Sequence, residues 1–398
     1  TVTAGVWACD EFGYPTEDPC VNQWPHIICD GNNLTVTELS MSNSKIYGTL
    51  PSTLGLVVNI SVLNLEVNSL NGTIPEELGN LTKLVRFDVE ENGLTGTIPV
   101  DLGNLIKLTY ADLSENILYG EIPTTLGNLA ALDKLDLEEN YLSGYIPTEI
   151  VHWVAIQHLS FGNNFISGVL PTELGQLMTL VRLELDDNYF SGQVPSQLGQ
   201  LESLTALELD DNLFSGLIPT EFGNLLNISN VFAQLNYIHG SIPTELSNCL
   251  KLRNLYLMDN NLAGSLPSEF GSLVMLENFD AGDNDLSGSV PSEMGFATAL
   301  RKFRVTGCRI TGTIPSALGN LVNLTSLSLN HNLLTGSIPS EVGLLTAVRL
   351  LSLDFNSLSH TIPYQLGELS AVSRIHFSDN SLIGTVPSVL CTISGLTA

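Results

Sequence analysis

The stretch LVRFDVEENGLTGTIPVDLGNL, Leu84 to Leu105, decides the architecture. Leu84, Phe87 and Val89 set an apolar spacing of three and then two, Asn92 closes it, and Leu94, Gly96, Ile98, Pro99, Leu102, Gly103 and Leu105 follow. Outward from here the series returns every 24 residues, its proline running from Pro51, Pro75 and Pro99 to Pro363 and Pro387. A fixed period of about 20 to 29 residues means one small unit stacked many times, each burying its apolar face only against its neighbours. Alternation around Phe87 and Val89 reads as a strand with Arg86, Asp88 and Glu90 facing outward. The closing Asn recurs at Asn43, Asn68, Asn92, Asn116 and onward to Asn380, where its amide can satisfy backbone groups that the turn leaves unpaired; Cys308 holds one such place as a buried thiol. The interval from Asn43 to Asn68 is one residue long, which predicts a small bulge. Beyond the proline, a segment such as Thr172 to Gly175 predicts a short 3-10 turn, its hydroxyl residue as cap and its Glu in the first turn.

Leu-Thr-Gly-Thr-Ile-Pro (Leu94 to Pro99) and Leu-Gly-Asn-Leu-x-x-Leu (Leu102 to Leu108) resemble the plant-type leucine-rich repeat, and the likeness runs from about Leu39 to Leu390. Asp18-Pro19-Cys20 with Trp24 and Cys29 resembles the amino-terminal caps of plant receptor-kinase ectodomains and polygalacturonase inhibitors. It departs from them at Pro25-His26-Ile27-Ile28, where those caps carry a Gly-Val pair, and similar secreted arrays occur in algae. The resemblance implies an α/β repeat solenoid: a right-handed leucine-rich-repeat superhelix with a parallel β-sheet on its concave face, short 3-10 turns on its convex face and a second small sheet beside the first. It also implies extracellular recognition of a peptide, protein or carbohydrate. Three segments are expected: a Cys-containing cap over 1–38, about fifteen 24-residue repeats over 39–390, and the start of a truncated cap or further repeat over 391–398.

Composition narrows the partners. The chain has 42 Asp plus Glu against 14 Lys plus Arg, a formal net charge of -28, which repels nucleic acid and anionic lipid. No run approaches the roughly 20 apolar residues of a membrane span, so this segment does not insert directly. Clustered Cys9, Cys20 and Cys29 and the glycosylation sequons at Asn33, Asn59, Asn71, Asn80, Asn227 and Asn323 point to a secreted or cell-surface setting. Cys20 and Cys29 flank Trp24 and are expected to pair, while Cys9 joins a cap partner or stays free. Cys391 cannot reach Cys9, since some fifteen strands at about 4.8 Å separate the ends by on the order of 65 Å. Pro387, Leu390, Ile393 and Leu396 keep the register of another repeat, so the chain is expected to continue past Ala398.

Outward strand positions vary while the framework stays constant, and they carry the information. One zone is acidic: Glu66, Asp88, Glu90, Asp112, Asp136 and Glu138, then Glu184, Asp186 and Asp187, then Glu208, Asp210 and Asp211. Like charges on adjacent strands call for a cationic ligand, a basic peptide, a polyamine or Ca²⁺, or else form a solvated acidic face. Phe232, Leu235, Arg253, Tyr256 and Met258 interrupt the acids and have the composition of an interface hot spot. A basic patch follows at Arg301, Lys302, Arg304 and Arg309, to be paired partly with Asp280 and Asp283 or used by Arg304 to hold a carboxylate. Near His152, Trp153 and His158 the acids lapse, with Trp153 expected on the convex or flanking side, as a second contact or as drift. No nucleophile with an adjacent base, no phosphate loop and no metal tetrad emerges, so neither catalytic residues nor a cofactor is expected beyond a weak case for Ca²⁺. The leading reading is a receptor-like or inhibitor-like recognition protein; its alternative is an adhesive matrix or wall component with an acidic, Ca²⁺-binding surface. A third reading, ice binding through a Thr array, founders on the irregular column Thr73, Thr97, Glu121, Tyr145, Val169, Gln193, Leu217.

Overall fold

A computed structural model describes residues 18–393, 395 and 396. The chain divides into two compact units, one ending at Phe190 and one beginning at Ser191. The first unit opens with an antiparallel pair, Ile27–Cys29 against Val36–Ser40. The expected Cys20–Cys29 disulfide ties this cap together, with Cα atoms 5.7 Å apart and with Cys20 and Trp24 buried. Cys9 lies outside the described residues, and Cys391 is free and exposed.

Each repeat then contributes one three-residue strand to a parallel main sheet, paired with residues 24 positions away. In the first unit these run from Val62–Asn64 and Arg86–Asp88 to Arg182–Glu184. In the second they run from Ala206–Glu208 to Arg374–His376. A lateral sheet of parallel strands follows the closing Asn of most repeats, with pairing 22 positions apart, as in Tyr119 with Tyr141 and Phe165 with Ser143. The third side is built of five-residue 3-10 helices such as Thr172–Gln176. A Cβ on Gly103 would collide with the Thr125 carbonyl, so this helix stacks on the next because that position lacks a side chain; most repeats keep Gly there, with Val151 and Ser247 among the exceptions.

Two expectations about local chemistry need correction. Proline itself occupies the N-cap, with extended angles such as φ -66° and ψ 136° at Pro171, and no side chain caps the helix. The hydroxyl residue comes one position too late; Thr172 instead donates to the Glu173 carboxylate at 3.3 Å. Trp153, expected outside, is fully buried, and its Nε1–H donates to the Leu126 carbonyl at 2.8 Å. It fills the core column that Leu129 and Leu177 occupy in neighbouring repeats, so Trp153 is a core residue, while His158 and Ser160 hold the outward strand positions where the acids lapse.

The closing Asn acts as sequence reading proposed. Asn140 Nδ2 donates to the carbonyls of Leu113, Leu137 and Glu138 at 3.0 to 3.2 Å, and its Oδ1 accepts the Leu118 N–H at 3.0 Å. One amide therefore satisfies groups in its own repeat and the previous one. Asn43 is not part of this series. It takes the left-handed turn position (φ 47°) that precedes each ladder Asn, and Ser44 stands where the rung would be. That displacement accounts for the long interval: Asn68 Oδ1 accepts both Ser44 N–H and Ile46 N–H.

Cys308 is buried in its rung, and burial pushes its thiol up to about 11, as it does for Cys249. Both are core thiols with little nucleophilic thiolate. The Cys308 sulfur reaches the carbonyls of Ala281 and Thr306 at 3.6 and 3.3 Å, and it faces the Leu286 N–H in place of an amide oxygen. Cys308→Asn is therefore expected to raise the unfolding free energy by about 1 to 2 kcal/mol, whereas Asn140→Ala lowers it by about 3 kcal/mol. Urea titration of both variants checks this, and a destabilised Cys308→Asn contradicts the rung assignment.

Candidate functional site

On the main-sheet face of the second unit, pairing at 24-residue steps aligns one central row: Glu208, Phe232, Tyr256, Asp280, Arg304, Ser328, Ser352 and His376. Phe232 and Tyr256 are half-buried and tilt against each other with ring centroids 5.3 Å apart. Asp280 is buried and takes an ion pair from Arg304 at 3.0 Å. Burial raises the Asp280 carboxyl and the Tyr256 phenol above their ordinary values; Arg304 opposes both shifts. The aromatic pair thus ends on a clamped charge, with part of the Arg304 guanidinium open to solvent.

Flanking rows supply hydrogen bonds. Asn230, Asn254 and Asn278 form an amide ladder, each donating to the last at 2.6 Å. On the other flank Gln234 donates to Asp210 at 2.9 Å, beside half-buried Met258. Arg253 and Arg301 stand at the leading edge and share Glu277, so they belong to a margin and not to the aromatic row. Leu235 and Asp211 occupy the left-handed turns at the trailing edge, with φ of 55° and 50°. Most repeats place Asp, Glu or Asn in that turn; an exposed Leu there accepts backbone strain that a polar residue tolerates better. Asp186 and Asp187 belong to the first unit. The Asn ladder and Glu277 were missed by sequence reading, though both are legible as columns at the repeat period. Of the expected pairing within the basic patch, Arg304 takes Asp280, while among the described residues Asp283 is not a partner; Arg301 instead pairs with Glu277 and Arg309 with Asp285 at 2.7 Å.

The first unit presents the acidic columns, and these are less open than their outward orientation suggested. Asp88 and Asp112 are buried beneath Arg86, Tyr110 and Lys134. The Arg86 guanidinium lies 3.7 Å from the centre of the Tyr110 ring, and Lys134 reaches Asp112 at 2.7 Å and Asp136 at 3.2 Å. The chain thus supplies part of its own counter-charge. Glu66, Asp88 and Glu90 bring carboxylate oxygens within 4.8 Å of one another, a set that could hold a cation. Burial first, then neighbouring carboxylates, push Asp88 up to about 6 and both Glu90 and Glu138 up to about 7.

Leucine rich repeat models match residues 298–358 and, separately, 59–81, 155–177, 203–225 and 251–273. The chain is a leucine-rich-repeat protein. Its repeats are of plant type, and its fold is similar to the structure of a TDR receptor: TM-score 0.88, 29% identity, 95% of this chain and 64% of that chain covered. The leucine-rich-repeat chain thus spans less than two thirds of that receptor chain. The plant peptide hormone receptor RGFR1 in complex with RGF2 is similar at TM-score 0.58 and 26% identity, over 94% of this chain and 82% of that one. A plant ice-binding protein is similar at TM-score 0.54 and 27% identity, over 61% and 79%. No match stands among curated protein sequences. No helix among the described residues is long and apolar enough to cross a membrane.

The raised carboxyls make stability pH-dependent. In the unfolded chain they titrate near their ordinary values of about 4, and in the folded chain near 6 to 7. Between those values the folded state binds more protons, so stability falls as pH rises through the window. The melting temperature is expected to be higher at pH 5 than at pH 8, with Glu90→Gln and Glu138→Gln flattening the difference in a calorimetric scan. A melting temperature that climbs from pH 5 to pH 8 contradicts the protonated acidic face.

Proposed function

We propose that the main-sheet face of the second unit is the ligand-binding site of an extracellular recognition protein, and that the ligand is an extended peptide. The observation that carries this is the row Glu208, Phe232, Tyr256, Asp280, Arg304. It sets an aromatic platform beside an amide ladder and ends on an oriented guanidinium. Half-buried rings take an apolar side chain, the Asn230 to Asn278 amides suit a peptide backbone, and Arg304 with exposed Lys302 suits a carboxylate. A solved relative of the same repeat type holds a peptide hormone, RGF2, which supports the peptide over carbohydrate. The cap disulfide, the sequons and the receptor-like relatives favour an extracellular setting.

A library of synthetic peptides, each with free and amidated C-termini, tests the site by calorimetry on the purified chain. For any binder, Phe232→Ala and Tyr256→Ala are expected to weaken affinity at least tenfold with an unchanged melting temperature, and amidation to matter only while Arg304 is present. Affinity retained in both aromatic variants refutes the site.

A second reading has its own observation. The column that is irregular from Thr73 to Leu217 continues as Ser241, Ser265, Ser289, Thr313, Ser337, Thr361 and Thr385, all exposed, in the second unit. These hydroxyls recur at the 24-residue step, with Ser265 at the end of a lateral strand and Ser241 and Thr361 just past one, and one relative is an ice-binding protein. Under this reading Thr313→Tyr abolishes ice-crystal shaping and thermal hysteresis; unshaped crystals in the unmodified protein remove it.

A further inference from the structure

The lateral sheet of the first unit carries an aromatic run that neither the scaffold nor the peptide site uses. Tyr119, Tyr141, Phe165 and Tyr189 lie on four successive strands, each about half exposed. Tyr119 is directly opposite Tyr141, the centroids of Tyr141 and Phe165 are 5.8 Å apart, and Phe165 and Tyr189 stack at 6.0 Å with planes 13° from parallel. Ile117, Tyr145 and Val169 extend the patch in the same outward rows, with Tyr145 and Val169 about two-thirds exposed. Elsewhere the column of Tyr141 mixes Ser69, Gly93, Asn261, Asp285, Arg309, Ser357 and Ser381 with Leu213, Tyr237 and Leu333, so the repeat does not require an aromatic residue there.

We propose that this face is a two-fold interface with a second copy of the chain. Three observations select that occupant. The first is area: a Phe or Tyr side chain offers about 150 to 250 Å², so five half-exposed or more exposed rings with Ile117 and Val169 present on the order of 600 Å² per copy. That is most of the roughly 800 Å² per partner in a standard interface and at the top of what a monomer leaves exposed. The second is symmetry. Tyr141, Phe165, Tyr189 reads the same in both directions, so a two-fold axis through Phe165 sets Phe165 on its own copy and Tyr141 on the other copy's Tyr189, as an isologous contact requires. The third is charge. In a chain of net charge -28, the outward positions of these four strands hold one carboxylate, Glu121, and no sequon falls between Asn80 and Asn227. The face thus carries a single carboxylate and is free of predicted glycan.

Sedimentation equilibrium of the whole chain from about 1 to 100 μM tests the interface. A dimer is expected, tightening with added salt as the repulsion between the two acidic copies is screened. Phe165→Asp, at an exposed position, is expected to raise the dimer dissociation constant at least tenfold without changing the melting temperature. If Phe165→Asp lowers the melting temperature, Tyr141→Ser and Tyr189→Ser carry the same expectation. A monomer over the whole range at low and high salt overturns the proposal, and in that case the face serves a different partner. A dimer that survives both Phe165→Asp and the paired Tyr→Ser changes also overturns it.

Discussion

The structure rests on one recurrent contact, the amide of the closing asparagine. A three-residue strand is too short to hold itself in place, and the left-handed turn after it strips several backbone groups of partners inside the stack. Asn116 shows the resolution: its Nδ2 donates to carbonyls of Val89, Leu113 and Ser114, and its Oδ1 accepts the Leu94 N–H, all with the side chain buried. Each such amide joins two repeats, so the polar balance of one turn is completed only by its neighbour. Every other regularity serves that contact. Proline fixes the entry to the 3-10 helix, glycine lets helices stack, and leucine fills the space between.

Because the framework is satisfied from inside, the outward rows are released from structural duty and can hold whatever a partner requires. In the first unit that freedom is spent on carboxylates, at a cost that Arg86, Tyr110 and Lys134 only partly offset. The remainder is relieved by protons, which is why several of these acids titrate near neutrality. The second unit holds a different row, rings followed by a clamped Asp280–Arg304 pair. There Asp280 and the Asn amides find partners in the chain, while the two rings pack on each other and stay half open to solvent.

Much of this was legible in the sequence because the repeat period converts position into place. Residues 24 apart are neighbours, so Glu208, Phe232, Tyr256, Asp280 and Arg304 form a row by arithmetic, and the Cys20–Cys29 pairing follows from proximity. The period does not say how deep a side chain lies. Arg86 folding over Asp88 is a rotamer choice, Trp153 entering the core depends on a carbonyl at Leu126 that only the stack positions, and Asn43 was misread because an Asn fills the turn position while Ser44 holds the rung. The lateral aromatic run escaped for a different reason: its strands pair at 22 residues and follow the Asn, outside the alternating segment that marks the main sheet.

The sequence by itself determined the repeat, its ladder, its cap disulfide and the identity of each outward row, since all of these depend on spacing and residue type along the chain. The tertiary structure alone decided which outward groups are spent on one another and which stay available. Charge pairing, burial and ring contact depend on distances of a few ångströms between side chains 24 or more residues apart. At that scale a column of acids becomes either a clamped, partly protonated face or an open one, and a row of rings becomes a core or a contact surface.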